Sequence, residues 1–172
     1  VDSQYLNSYD TIMAYSQGIM KSLDFPTGPS LLTHKQCQHI QAPALNTCLR
    51  KNGIVSTISR SIIHGPHRYG GLNFQCLGTE NGIQKIELLL GHIRKDDETG
   101  RLLKVALGCL QQEVGISYPV LEAPFHLYQS LVTKSWLRIV WEFLDSVQGS
   151  IICADIWTPK PTFENDKNIM EI

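Results

Sequence analysis

The run Arg60-Ser-Ile-Ile-His-Gly-Pro-His-Arg-Tyr-Gly-Gly-Leu72 is where this chain cannot continue as helix. Pro66 fixes its own φ and biases Gly65 away from the helical region. Gly70-Gly71 then admit positive φ or a close backbone approach. Between the two breaks stand His67, Arg68 and Tyr69, preceded by the apolar β-branched pair Ile62-Ile63. Before and after the run the sequence reads as helix. A stiff projection carrying two imidazoles, a guanidinium and a phenol is expected, although a tight connection between two helical halves would use the same residues.

At 172 residues the chain is long enough to bury a core, as one domain or two small lobes. Charged residues are 18% and hydrophobic ones 42%, a globular rather than a disordered composition. No apolar run approaches the roughly 20 residues of a membrane span, and the N-terminus carries no signal-peptide pattern. The chain reads as a piece of something longer. Its odd set of five cysteines, without Cys-x-x-Cys spacing, argues against a disulfide framework and for a reducing compartment, cytoplasm or nucleus. All five are expected to lie among apolar neighbours.

The net charge of −1 is unevenly spread. Residues 35–95 hold eight Lys/Arg against Glu80 and Glu87, while the segments on either side are acidic. A middle third this basic, with most of the histidines, is the surface expected to face phosphate. Solvated helix faces would give the same count.

Helices are expected over 3–22, with Tyr5, Tyr9, Ile12, Met13, Ser16 and Met20 as the apolar stripe and Phe25-Pro26-Thr-Gly-Pro29 as the stop. A capping box, Thr33-His-Lys-Gln36, starts a second helix running to Asn52. Its buried side is Cys37, Ile40, Gln41, Leu45, Cys48 and Leu49, its stop is Gly53, and Pro43 should kink or divide it. Ser56 to Ile63 is a short helix or extended lead into the loop. A helix from Thr79 or Glu80 to Lys95 follows, whose Gly82 and Gly91 suggest close packing. Thr99 should cap the next helix, Arg101 to Val114, closed by Gly115, and Thr133 should cap Lys134 to Val147, closed by Gly149. The stretch 116–132 has two prolines and no period. Ser150 to Ile156 is the one strand candidate, and Phe163 opens a last helix.

Motifs of catalysis are missing: no Gly-x-Ser-x-Gly, P-loop, dinucleotide fingerprint or His-Glu-x-x-His. Asp96-Asp97-Glu98 has the carboxylates for Mg²⁺ but the setting of a solvated turn. His34 and His39, five residues apart, would point about 140° apart on a helix, so no metal is expected. No catalytic residue and no cofactor is assigned, and the chain is not expected to be an enzyme on its own.

The order Thr33-x-x-Gln-Cys-x-x-Ile-Gln-x-Pro43, Leu49-Arg-Lys-Asn-Gly53, then Arg60 to Leu72 resembles the region after the polymerase palm in reverse transcriptases of non-LTR-type retroelements. Leu88-Leu-Leu-Gly-His-Ile-Arg94, Gly100-Arg-Leu-Leu103 and Glu164-Asn-Asp166 extend the likeness over nearly the whole chain. The resemblance implies a mainly α, bundle-like fold in two small lobes, with at most a minor strand pairing near 150–156. Residues 1–75 would be a thumb-like helical lobe and 76–172 the connection after it. The Phe/Tyr-x-Asp-Asp motif and other palm carboxylates are absent, so only the non-catalytic end of such a polymerase would be present. Resemblance and charge together imply a grip on the template–primer backbone through Arg50, Lys51, Arg60, His64, His67, Arg68 and Tyr69. Gly70 and Gly71 would let the nucleic acid approach, and the missing palm would be a protein partner. Two other readings stand beside it. One is a helical protein-interaction or structural module; the other is a helix-turn-helix reader using Ser56 to Ile63.

Overall fold

The computed structural model describes residues 6–152, and the expectations for Cys153, most of the strand candidate and the last helix lie outside them. The fold is mainly α, with no strand among the described residues. No helix among them is long and apolar enough to cross a membrane. The chain forms two compact units, Val1–Lys85 and Ile86–Ile172, the division falling within one long helix.

In the first unit the expected N-terminal helix runs later, ending at Thr27 rather than Ser22, and residues 3–5 of that expectation, Tyr5 among them, lie outside the described residues. It is α1 (Ser8–Met13), a π-helical turn (Ala14–Met20) and α2 (Lys21–Thr27), in unbroken succession. Asn7 caps it, its side chain accepting from the Asp10 N–H at 2.8 Å. The apolar stripe is corrected in part. Met20 is buried as expected, but Tyr9, Ile12 and Met13 are exposed, and Thr11, Tyr15 and Thr27 are buried instead. Tyr15 and Met20 lie five residues apart, the spacing of a π turn, so a search at period 3.6 picks the wrong face. The helix stops within the expected Phe25-to-Pro29 stretch: Pro26 sits inside the last turn of α2, and the chain leaves the helix at Gly28-Pro29.

Helix α3 (His34–Lys51) has the capping box as expected: the Gln36 N–H donates to Thr33 Oγ1 at 3.4 Å and the Thr33 N–H to Gln36 Oε1 at 2.9 Å. Pro43 does not divide it. The helix buries Cys37, Gln41, Leu45, Cys48 and Leu49, leaving Ile40 partly exposed. It ends in a Schellman motif: Ile54 N–H donates to Leu49 O, Gly53 N–H to Arg50 O, and Gly53 takes φ 70°. Short α4 (Arg60–His64) and a 3₁₀ turn (His67–Tyr69) follow, then α5 (Leu77–Lys95). Tyr15, Met20, Cys37, Leu45, Cys48, Leu49, Ile63 and Leu77 make this unit's core.

Lys85 is fully buried, which the charge count did not anticipate. Its three ammonium hydrogens go to Thr27 O (2.8 Å), Gly28 O (3.0 Å) and Asn81 Oδ1 (2.6 Å). It thereby terminates α2 and ties it to α5. Burial pushes Lys85 down to about 8, and the Cys37 thiol beside it opposes that shift.

The second unit takes the rest of α5, then α6 (Glu98–Val114), α7 (Phe125–Tyr128) and α8 (Trp136–Ser146). Asp97, not Thr99, caps α6, accepting from the Gly100 N–H at 2.8 Å. That bond, and then the His92 ring, hold the Asp97 carboxyl below the usual range. The close helix approach falls at Gly100, where a Cβ would strike the His92 carbonyl, and not at Gly91, which has open space around it. Ser135, not Thr133, caps α8. Trp141 is the unit's largest buried side chain, packing edge-on to Phe125 and donating its indole N–H to Ala123 O. The unperiodic 116–132 stretch therefore supplies core: Ile116, Val120, Leu121, Ala123, Phe125 and Val132 are all buried. Cys109 is exposed, contrary to expectation. The α8 stop is a Schellman motif one residue early, with Gln148 at φ 55° in the position that favours glycine.

Replacing Gln148 by Gly should therefore raise stability by about 0.5–1 kcal/mol, read as a higher urea midpoint, because a side chain leaves the left-handed region. Lys85 gives a pH signature. The unfolded chain keeps this proton to the ordinary lysine range, whereas the folded chain releases it from about pH 8. Folding thus becomes more favourable as pH rises from about 8, where the unfolded state binds more protons. Lys85→Met should be less stable at pH 7, having stranded three acceptors. The gap between wild type and variant in urea unfolding should widen between pH 8 and 9.

Candidate nucleic-acid interface

The loop from His64 to Phe74 is built by its own backbone. Leu72 N–H donates to Ile62 O at 2.8 Å, Phe74 N–H to Ile63 O at 2.9 Å and Asn73 N–H to Gly65 O at 2.9 Å. The returning segment is thus laced to α4 in both directions from the Gly-Pro break. At the tip, Tyr69 N–H donates to Pro66 O, Gly70 N–H to His67 O and Gly71 N–H to Pro66 O, at 3.0 to 3.1 Å. Three glycines permit this, for different reasons. Gly70 takes φ 79°, Gly65 lies against the Ser61 carbonyl, and a Cβ on Gly71 would overlap the Gly65 backbone.

The stem is anchored by a buried polar group that the sequence reading placed on the core side without a role. The Gln41 carboxamide donates to Tyr15 Oη and to Gln75 O, and its Oε1 accepts from the Leu77 N–H at 3.0 Å. Tyr15 in turn donates to Gln75 O at 3.1 Å, and its ring meets Phe74 edge-on at 5.6 Å between centroids. Burial pushes the Tyr15 phenol up to about 12, the Gln41 hydrogen bond opposing it, so it stays a neutral donor. α3, the π turn and the start of α5 all converge on the loop's return.

The expected contact residues divide by what they already touch. His64 is half-buried, its Nδ1 2.9 Å from Phe74 O. His67 holds the tip, with Nδ1 3.0 Å from Gly71 O. A carbonyl can only accept, so both rings carry their proton on Nδ1, and each neutral ring offers Nε2 as an acceptor. Gly71 is occupied by the crossing with Gly65, which accounts for it without any ligand. Arg60, at the start of α4, is exposed. Arg68 and Tyr69 are exposed together, the guanidinium carbon 4.7 Å from the centre of the ring and Tyr69 76% accessible. Arg50 and Lys51 lie apart from the loop in sequence, in the last turn of α3, where cations suit the helix dipole. Arg50 is exposed, and the Lys51 carbonyl accepts from Ser8 Oγ at 3.2 Å. The basic run also shrinks by one, because Lys85 is spent inside the core. Among the described residues no cluster of His, Cys, Asp and Glu fits a metal ion.

No family model, no curated protein and no solved structure matches this chain.

Gly71→Ala should be among the most damaging single methyl additions in the first unit. It is expected to cost about 2–4 kcal/mol of stability, measured by urea unfolding, because backbone and not a flexible side chain stands in the way.

Proposed function

We propose that this chain is a non-catalytic nucleic-acid-holding segment, of the kind that grips template–primer backbone beside a reverse-transcriptase palm. The observation that carries the reading is the locked loop with its cations outward: Arg68 and Tyr69 exposed at a hydrogen-bonded tip, with Arg60 exposed at the start of the helix beneath. A preorganised basic projection loses little entropy when it meets a charged strand. Arg60 and Arg68 neutralise phosphates, Tyr69 packs against a sugar or base, and Arg50 and Lys51 add a second cationic group. His64 and His67 serve the grip by holding the loop's shape. The chemistry of polymerisation belongs to the palm, which is the protein partner in this reading; the chain itself is not an enzyme.

Backbone contacts of this kind tolerate sequence and respond to salt. With about four phosphates neutralised, log K for duplex DNA should fall by roughly 3.6 per decade of salt concentration. Arg60→Ala/Arg68→Ala should lower low-salt affinity and flatten that slope by roughly two, in anisotropy titrations with a fluorescent duplex. A wild-type affinity indifferent to salt, or a double variant that binds as wild type does, would remove the grip.

A further inference from the structure

Resting on the grip proposed above, we infer that the Arg68–Tyr69 tip is a stacking platform for one unpaired nucleobase. Its ligand is then a duplex with a single-stranded end, in preference to a blunt one. The Tyr69 ring is planar, and the Arg68 guanidinium lies against it at 4.7 Å. With 76% of the residue accessible, the ring keeps a free face. A guanidinium stacked on a phenol makes an electron-poor, flat surface next to a positive charge. That combination suits a base still attached to its phosphate better than it suits an apolar side chain.

Position matters as much as chemistry. The ring's backbone is fixed from both sides, by Tyr69 N–H to Pro66 O and Gly70 N–H to His67 O, each at 3.0 Å, and by His67 Nδ1 to Gly71 O at 3.0 Å. The platform is presented ready-made. A base inside a continuous duplex has both faces covered by its neighbours, so the tip reaches no π-face there. A terminal unpaired base exposes one. A single ring serves a single base, so the first overhanging nucleotide should supply nearly all the gain.

The test is equilibrium binding of the full chain to four versions of one short labelled duplex. These are blunt, with a one-nucleotide overhang, with the same overhang made abasic, and with a longer overhang. The one-nucleotide overhang should bind about 5- to 100-fold more tightly than the blunt duplex, the range that base–aromatic stacking gives. The abasic overhang, which keeps the phosphate, should lose that gain. Tyr69→Ala should also lose it, so that blunt and overhanging duplexes bind alike, and Tyr69→Phe should keep it. The Tyr69 ring is exposed, so neither variant should alter helix content, checked by circular dichroism. Salt-sensitive binding with equal affinity for blunt and overhanging ends would overturn the platform and leave the grip standing. So would an overhang preference that survives Tyr69→Ala. Absence of binding to every duplex at low salt would overturn the grip and the platform with it.

Discussion

A buried carboxamide holds the first unit together. Gln41 sits in the middle of α3, and its side chain satisfies three groups from other parts of the chain: the Tyr15 phenol, the Gln75 carbonyl and the Leu77 N–H. Each would be costly to bury alone. Gathered on one side chain, they fix where the π turn lies, where the loop returns and where α5 begins. The loop's return is tied to this joint, Phe74 through Tyr15 and the following Leu77 directly.

Above the joint, the loop separates what it needs from what it presents. His64, Gly65, His67 and Gly71 engage its own backbone, through carbonyl contacts and a crossing too tight for a Cβ, while the His67 side chain stays exposed. Arg60, Arg68 and Tyr69 face water. A residue type suited to binding can thus be present for architecture, as both histidines are. The same holds for charge. Lys85 contributes to the basic count of the middle third, yet its three hydrogen bonds end on the chain's own oxygens. What the loop leaves exposed is the Arg68 guanidinium against the Tyr69 ring, with Arg60 exposed at the start of α4.

The second unit solves a different problem. Its α8 is apolar over so wide an arc that it needs cover on more than one side, and Leu137, Ile139, Val140, Trp141 and Leu144 are all buried. The proline-bearing stretch after α6 provides part of that cover. Pro119 precedes a single 3₁₀ turn (Val120–Glu122) and Pro124 the four-residue α7, so the strap lays Val120, Leu121 and Phe125 into the core from two very short helical pieces.

Much of this was written in local sequence. Helix caps and stops depend on groups three to five residues apart, so the Thr33–Gln36 box, Gly53 and Gly115 could be read directly, as could the break at Gly65-Pro66 and the apolar face of α3. Near misses came where two neighbours could do the same job: Asp97 for Thr99, and Ser135 for Thr133. Other features depend on groups far apart in the chain, and only tertiary structure decided them. The π turn that puts Tyr15 on the buried face beside Met20 follows from what Tyr15 meets at Gln41 and Gln75. The burial of Lys85 follows from carbonyls freed where α2 ends. The division of the loop into inward and outward side chains follows from a backbone crossing between two glycines. The chain alone determined which residues could stand on the projection; the folded packing around Gln41 decided which of them are left free to touch anything else.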